Sequence, residues 1–230
     1  MQQLYFLLSP SSAVSDPIIH SRTFTAVQSQ RTKPALPAKR VFDFVFALLV
    51  ISFVFSWLFP IIALLIKLSS DGPVFFKQLR TGKDGKPFWC LKFRSMRVNA
   101  DSDKLQAKKG DARVTKVGNF LRKSSLDELP QFLNVLKGEM SVVGPRPHML
   151  HHTEVYSQTI GNFMDRHAVM PGITGLAQVS GHRGEIKEMD AMVKRVEADI
   201  EYIKKQSLQL DVKIVLKTVR QACFGHENAY

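Results

Sequence analysis

One uninterrupted apolar stretch dominates the hydrophobic pattern of the chain. It runs from Phe44 to Ile66, holds no charged side chain, and only Ser52, Ser56 and Pro60 in it are not apolar. At about 1.5 Å per residue, a helix of this length is long enough to cross a hydrocarbon core of about 30 Å. The pattern predicts a membrane helix over residues 39–68.

Two features of this segment bear on how the helix lies in the membrane. Basic residues flank both ends, with Lys39 and Arg40 before the stretch and Lys67 after it, whereas a spanning helix normally has its basic residues on one side. Pro60 removes a backbone donor and crowds the carbonyl of Ser56, which bends a helix. A bent helix with two basic ends favours re-entry through one leaflet. A single-pass helix with a proline kink is the alternative.

Shorter patterns predict that the rest of the chain is helix-rich with one β-hairpin. Two β-prone runs, VFFKQLR and KPFWCLKF, flank TGKDG and predict a hairpin that turns at Asp84 and Gly85. Residues 98–118 lack an apolar period and are expected to form a loop with short helical pieces. Apolar spacing and end signals predict helices over about Ser125–Leu136 with a stop at Gly138, over roughly Met189–Lys205, and over Leu208–Phe224.

The domain organisation follows from these segments. Residues 1–38 are rich in Ser, Thr, Gln and Pro and are interpreted as a disordered lead-in. The membrane helix follows, and residues 69–230 form one domain. The predicted fold class is α/β, mixed and helix-rich. It is a monotopic membrane protein in which a re-entrant or kinked helix precedes a small domain with a β-hairpin and amphipathic interfacial helices.

The net charge of the chain limits the classes of molecule that it is expected to bind. The 230 residues carry a formal net charge of +12, and the excess lies mainly in residues 67–123, with 15 basic against 5 acidic side chains. Such a block indicates an anionic partner: nucleic acid, lipid headgroups or a phosphorylated substrate. Because no nucleic-acid-binding motif is present and aromatic residues are not interleaved with the basic ones, we expect no nucleic-acid partner.

The cysteines and histidines give no metal signal. Cys90 and Cys223 lack zinc spacing, which indicates two reduced thiols and neither a disulfide scaffold nor a zinc site. His148, His151 and His152 follow at helical spacing, but no other ligand type accompanies them. We therefore do not predict a metal site at these histidines. The sequence does not indicate an oligomeric state.

The segment RKSSLDELPQ, residues 122–131, has two interpretations. Ser125 and Glu128 match a capping box, in which the serine caps a helix and the glutamate reaches back to it. Alternatively, Asp127 and Glu128 are a functional pair of carboxylates. One oxygen would attack a substrate while the other carboxylate holds a divalent cation.

Two further segments suggest phosphate binding. Pro145 and Pro147 enclose Arg146 in a rigid turn, and a fixed guanidinium can make bidentate contacts with phosphate; an incidental surface charge is the alternative. The glycine-rich run at 171–185 permits close backbone approach, as phosphate loops require. It matches neither GxGxxG nor the P-loop, so its spacing alone indicates only a turn-rich loop.

An ordered set of motifs gives the chain a resemblance to a known family. In order along residues 39 to about 230, the set is KRVFDF, DGPVFFKQLR, LKFRSM, SSLDELPQFLNVLKGEMSVVGPRP, RHAVMPGITGLAQVSG and LDVKIV. It resembles the bacterial sugar transferase family, the monotopic phosphoglycosyl transferases. The C-terminal part is most similar to the exopolysaccharide enzymes that load glucose-1-phosphate onto undecaprenyl phosphate.

The resemblance implies a reaction in two steps with named site residues. Asp127 attacks the β-phosphate of a UDP-sugar and UMP leaves, after which undecaprenyl phosphate takes the phosphosugar. Glu128 would position Mg²⁺. The kink of the membrane helix at Ser56 and Pro60 is predicted from the residues themselves, since the family usually has Ser directly before the proline where this chain has Phe59. The matching phosphate- and substrate-binding positions are Arg122, Arg146, Lys92, Arg183, Asp199 and Asp211.

The resemblance also implies a location and partners. A UDP-sugar, undecaprenyl phosphate and membrane lipids are the expected partners, at the cytoplasmic membrane of a bacterium, with the domain over residues 69–230 facing the cytoplasm. Glucose, galactose and N-acetylated sugars all remain open. A non-catalytic, membrane-anchored basic binding module is one alternative. A membrane-tethered glycosyltransferase that releases UDP is another.

Overall fold

The computed structural model describes residues 37–98, 110–184 and 188–224, with the side chain of Cys223 excepted. The predicted lead-in lies outside these ranges except for its last two positions. The helices are α1 Pro37–Val50, α2 Ser56–Ser69, α3 Lys116–Lys123, α4 Gln131–Lys137, α5 Leu150–Thr159, α6 Leu176–Val179, α7 Met189–Lys205 and α8 Leu208–Phe224. The strands are β1 Phe75–Thr81, β2 Pro87–Phe93, β3 Ser141–Val143 and β4 Gly172–Thr174. The fold is mixed and helix-rich, as predicted.

A continuous membrane helix covers Pro37–Ser69 and consists of α1, a π-helical segment at Ile51–Phe55, and α2. Its 33 residues are long and apolar enough to cross a membrane. Large apolar side chains on it are exposed, Phe53 at 72% and Trp57 at 59%, which indicates a lipid environment because water would not favour such a surface. The predicted helix is therefore confirmed.

The helix is irregular where the sequence predicts a kink. The N–H of Ser56 donates to the carbonyl of Ile51, which is the π-helical spacing, and the Ser56 hydroxyl donates to the carbonyl of Ser52 at 2.6 Å. Pro60 lies in the following turn, inside α2. Proline, π-segments and serine side chains bonded to the preceding turn are recognised causes of helix bending.

Both halves of the membrane helix pack on the same domain. Before the π-segment, the ring of Phe46 lies 6.1 Å from that of Phe132 in α4. After it, the ring of Phe59 lies 6.0 Å from that of Phe93 in β2. Strand β2 and helix α4 are joined to each other, because Asn134 accepts a hydrogen bond from the N–H of Leu91 at 3.0 Å. The domain thus contacts the helix on both sides of its irregular turn.

The strands β1 and β2 form the predicted hairpin, antiparallel with Phe75 opposite Phe93. At its turn, Asp84 adopts a left-handed conformation with φ of 56°. Residues two apart on a strand share a face, and the face that carries Phe76, Gln78 and Arg80 lines the cavity described below. The hairpin therefore contributes a wall to that cavity.

The prediction of one helix over Ser125–Leu136 is wrong. Ser125 is left-handed with φ of 59° and makes no side-chain cap, and Leu126–Glu128 form a single 3-10 turn. Helix α4 begins only at Gln131, after Pro130, and is followed by Gly138 at φ of 84°, the predicted stop. The capping box does not form because the Glu128 carboxylate bonds to more distant cations instead.

Two short parallel strands and the helices α3, α5 and α6 were not predicted. Strand β3 pairs with β4, with Ser141 opposite Gly172, and a Cβ on Gly172 would lie 2.1 Å from the backbone nitrogen of Gly144. This glycine therefore permits the close packing of β3 and β4. Thr115 caps α3 by accepting from the N–H of Gly118 at 2.9 Å, a local signal within the predicted loop. The two C-terminal helices are confirmed with their predicted bounds.

Candidate active site

A cavity of about 430 Å³ opens between the hairpin, the 3-10 turn, the segment after β3 and the glycine-rich loop. Six of the residues singled out from the sequence meet in its lining: Asp127, Glu128, Lys92, Arg122, Arg146 and Arg183. They come from five separate parts of the chain and become neighbours only through the fold. The charged side chains of this lining are eight Lys and Arg residues beside two carboxylates.

Glu128 is fully engaged by two cations. Lys92 donates to its Oε1 at 2.8 Å, while Arg146 makes a bidentate contact, to Oε2 at 3.0 Å and to Oε1. Burial alone would raise the pKa of Glu128, but these two cations hold it well below its usual value. Glu128 is therefore a permanent carboxylate that fixes Lys92 and Arg146 in place.

Asp127 differs from Glu128 because its carboxylate is not bonded to a cation among the described residues. It is buried, with 8% of its surface exposed, and no group in the described part of the chain donates a hydrogen bond to its carboxylate. Burial raises the pKa of Asp127 and the neighbouring Glu128 adds to the rise, while Lys92 and Arg122 oppose it. An uncommitted carboxylate beside several cations has the environment of an anionic nucleophile.

Buried groups behind the cavity hold Arg146 in position. Arg166, which is 1% exposed, donates from Nη2 to the backbone carbonyl of Arg146 at 2.9 Å. Asp199 holds Arg166 in turn, with its Oδ2 at 3.0 Å from Nε and 2.5 Å from Nη2. Asp199 is therefore not part of the cavity lining, and in the structure it supports the Arg146 segment; its predicted role in substrate binding stays a prediction.

Asp211 is also placed away from the cavity. It is fully buried, accepts from Lys39 at 2.8 Å and accepts from the hydroxyl of Tyr202 at 2.7 Å. Lys39 belongs to the first turn of the membrane helix. In the structure Asp211 thus anchors that helix on α8, and its predicted role in substrate binding stays a prediction.

The glycine-rich loop reaches the cavity through Arg183. Its Nη2 donates to the hydroxyl of Ser125 at 2.7 Å, next to the turn that carries Asp127. The residues Gly181 and Gly184 on either side have φ of 91° and 100°, a conformation that favours glycine. The left-handed backbone at these two glycines therefore shapes the loop in which Arg183 approaches the carboxylate turn.

Sequence reasoning missed part of the lining. Arg80 and Gln78 lie on the cavity face of β1, and His148, His152 and Tyr156 line the cavity near α5. His148 is buried and its Nδ1 lies 2.9 Å from Nη1 of Arg166. Burial and this guanidinium lower the pKa of His148 well below its usual value. Within the described ranges no group of three His, Cys, Asp or Glu side chains is placed to hold a metal ion.

The chain belongs to the bacterial sugar transferase family, whose model matches residues 34–225. It is 56% identical over 194 residues to the UDP-glucose:undecaprenyl-phosphate glucose-1-phosphate transferase of Escherichia coli K12, covering 84% of this chain and 41% of that protein. A protein of the same name from Caulobacter vibrioides is 49% identical, over 84% of this chain and 72% of its own length.

A third relative differs in its sugar. The UDP-N-acetylgalactosamine-undecaprenyl-phosphate N-acetylgalactosaminephosphotransferase of Aeromonas hydrophila is 46% identical over 81% of this chain and 44% of that protein. The chain spans about two fifths of the length of the relative from Escherichia coli. The family resemblance found from the motifs is confirmed.

Proposed function

We propose that the chain transfers a sugar-1-phosphate, with glucose-1-phosphate as the first candidate, from a UDP-sugar to undecaprenyl phosphate. The observation that carries this proposal is the contrast between Asp127, whose carboxylate is uncommitted, and Glu128, whose carboxylate is engaged by Lys92 and Arg146. Both lie in one cationic cavity beside a membrane helix. The names of the relatives supply the substrate class.

The proposed reaction consists of two displacements at one phosphorus atom. An Oδ of Asp127 attacks the β-phosphorus of the UDP-sugar, and the bond from that phosphorus to the bridging oxygen breaks, with its electron pair leaving on UMP. A phosphate oxygen of undecaprenyl phosphate then attacks the same phosphorus, and the bond to Asp127 breaks. The carboxylate is regenerated and the sugar is joined to the lipid by a diphosphate, with no net gain or loss of protons or electrons.

The electrostatics of the cavity suit this chemistry. Phosphoryl transfer needs positioning and charge stabilisation more than covalent catalysis. Lys92 and Arg146 are held by Glu128 at 2.8 and 3.0 Å, so they are preorganised and need no rearrangement when a diphosphate binds. Arg122 and Arg183 line the same cavity and bring further positive charge to the substrate.

Magnesium fits this site as a companion of the substrate. Glu128 already accepts hydrogen bonds on both oxygens from protein cations, which leaves little ligand capacity for a bare ion. Mg²⁺ usually binds through one or two carboxylates plus substrate phosphates, and a carboxylate oxygen of Glu128 is placed to complete such a set. When bound, Mg²⁺ would neutralise charge on the diphosphate.

For the membrane helix we propose re-entry from the cytoplasmic side of the inner membrane. A crossing needs about 20 residues within the hydrocarbon core, but Phe46 and Phe55 both contact the domain. Few residues remain between these contacts, so a crossing helix would draw the domain into the lipid. Entry and exit at one face avoids this, and places the cavity where a UDP-sugar and a polyprenyl lipid can meet.

The released nucleotide tests the proposed reaction. Purified protein is incubated with undecaprenyl phosphate and UDP-glucose, UDP-galactose, UDP-N-acetylglucosamine or UDP-N-acetylgalactosamine, and both nucleotide and lipid product are identified. We expect UMP and a diphosphate-linked lipid, with UDP-glucose preferred, and no product from Asp127→Asn. Release of UDP would instead support a tethered glycosyltransferase, and no turnover with any donor would support a binding module.

A further inference from the structure

Arg80 is a cation in the cavity lining whose hydrogen-bond partners are all neutral. Its Nη1 donates to the carbonyl of Pro147 at 2.7 Å. Its Nε and Nη2 donate to Oε1 of Gln78 at 3.3 and 2.9 Å. Over the described ranges, the ion pairs of the molecule do not include Arg80. These bonds use only part of the N–H donors of a guanidinium.

This lack of a carboxylate partner separates Arg80 from the cations next to it. Lys92 and Arg146 share Glu128 as their counter-ion, and Arg166 has Asp199. Burial lowers the pKa of Arg80, because a charge removed from water is costly unless it is paired. Arg80 is half-buried, and Glu128 and Asp127 act on it only through their charge, without an ion pair. A half-buried guanidinium with spare donors and no ion pair in the described part of the chain indicates that its anion comes from a ligand.

The backbone fixes Arg80 against the Arg146 segment. The N–H of Thr81 donates to the carbonyl of His148 at 2.9 Å, and Arg80 forms an isolated β-bridge with Met149. The guanidinium itself bonds to Pro147, the residue after Arg146. A phosphate bound by Arg80 would therefore lie beside the cations that surround Asp127 and Glu128.

We propose that Arg80 binds a phosphate monoester, namely UMP as it leaves in the first displacement and the lipid phosphate acceptor in the second. This inference rests on the proposed function. In the first in-line displacement the leaving oxygen lies on the side of the phosphorus opposite Asp127. In the second displacement Asp127 is itself the leaving group, so the acceptor oxygen must attack from the side that UMP has left. Both groups are phosphate monoesters, so one site has to bind each in turn. N–H donors of Arg80 stabilise the charge that develops on the leaving oxygen.

Two variants and one control test the role of Arg80 by calorimetric titration with UMP. Arg80→Gln removes the cation. Gln78→Glu keeps the size and the acceptor oxygen but places a counter-ion against Arg80. Each should weaken UMP binding by roughly tenfold to a hundredfold, the range for a charged hydrogen-bonded contact. Lys77→Gln, an exposed change on the opposite face of β1, should leave UMP affinity unaltered.

Uridine distinguishes the phosphate from the nucleoside. In the unaltered chain UMP should bind at least about tenfold more tightly than uridine, and the variants should lose this difference while their affinity for uridine stays the same. Equal affinity for UMP and uridine in the unaltered chain would overturn the inference, whether or not the variants fold. Unchanged UMP affinity in a folded Arg80→Gln or Gln78→Glu variant would also overturn it.

The acceptor provides the second arm of the test. With a fixed UDP-sugar, the KM for undecaprenyl phosphate should rise in Gln78→Glu as the affinity for UMP falls. A change in UMP affinity alone would refute the shared site. Failure of the proposed function is recognised separately, because the unaltered chain would then release no UMP from any UDP-sugar, while UMP titration still reports on Arg80.

Discussion

The ammonium of Lys39 lies 2.8 Å from the carboxylate of Asp211, and the side chains of both are almost completely buried. The pair joins the first turn of the membrane helix to the first turn of α8, 172 positions along the chain. Lys39 also donates to the carbonyl of Val143 at 3.1 Å. The membrane helix is thus fixed to the domain by a buried charge, as well as by apolar packing.

Breaking this pair should destabilise the protein strongly. Asp211→Asn leaves the buried Lys39 charge with only the more distant carboxylate of Asp43, at 3.8 Å, and removal of one partner of a buried ion pair typically costs about 3–5 kcal/mol. Thermal unfolding in detergent micelles should show a large fall in the midpoint. Glu201→Gln is the matched control, since its exposed pair with Lys205 contributes about 0–1 kcal/mol. Equal, small effects of the two changes would contradict the anchoring role of Asp211.

Glu128→Gln should reduce kcat by about two to three orders of magnitude, the scale for loss of one preorganised electrostatic group. The variant leaves Lys92 and Arg146 without the carboxylate that positions them. UMP release under saturating substrates measures the effect. Glu139→Gln changes a partly buried carboxylate that bonds to Asn134 outside the cavity, and should retain full turnover. An active Glu128→Gln variant would contradict the organising role of Glu128.

The acid limb of the pH profile should depend on Lys92. In the proposed reaction Asp127 attacks only when ionised, so activity should be lost as the pH falls through its pKa, which burial raises above the ordinary value. Lys92 is first among the groups that lower that pKa. Lys92→Met should therefore move the acid limb of kcat to higher pH. Lys86→Gln, an exposed change at the hairpin turn, should not move it, and a shift of the Lys92→Met limb to lower pH would be inconsistent with the account.

Removal of Mg²⁺ should abolish turnover without loosening the fold. The cations Lys92 and Arg146 already neutralise Glu128, so the fold does not depend on a metal ion to balance this carboxylate. Chelation by EDTA should stop UMP release and leave the thermal midpoint unchanged, and added Mg²⁺ should restore activity. A large drop in the midpoint on chelation would show a structural metal instead.

The parts of the fold that local sequence determines were predicted. Apolar length and period identified the membrane helix and both C-terminal helices, and turn residues identified the hairpin. The turn at Leu126–Glu128 was not predicted because Ser125 and Glu128 match a capping box locally. In the structure the Glu128 carboxylate instead accepts a hydrogen bond from Lys92, which is 36 positions away from it in the chain. Tertiary contacts thus overrode a correct local pattern.

The candidate site likewise contains some residues that the sequence indicated and others that only the structure shows. Motifs identified Asp127, Glu128 and their neighbouring cations, whose residue types reveal their chemistry. Arg80 gave no such signal, because it is one of many basic residues on the hairpin and strand alternation does not say which face meets a cavity. The sequence motifs indicated Asp199 as a substrate-binding residue. In the structure its carboxylate binds Arg166, which in turn bonds to the backbone of Arg146. Only the three-dimensional arrangement separates contact with substrate from support of the residues that make it.

The most direct measurement of the central claim is the mass of protein quenched during turnover with a UDP-sugar in the absence of acceptor. The account predicts a hexose-phosphate adduct that peptide mapping places on Asp127. The adduct should disappear when undecaprenyl phosphate is added, and should never form in Asp127→Asn. An active preparation with no adduct on Asp127, together with an Asp127→Asn variant that still turns over, would contradict it.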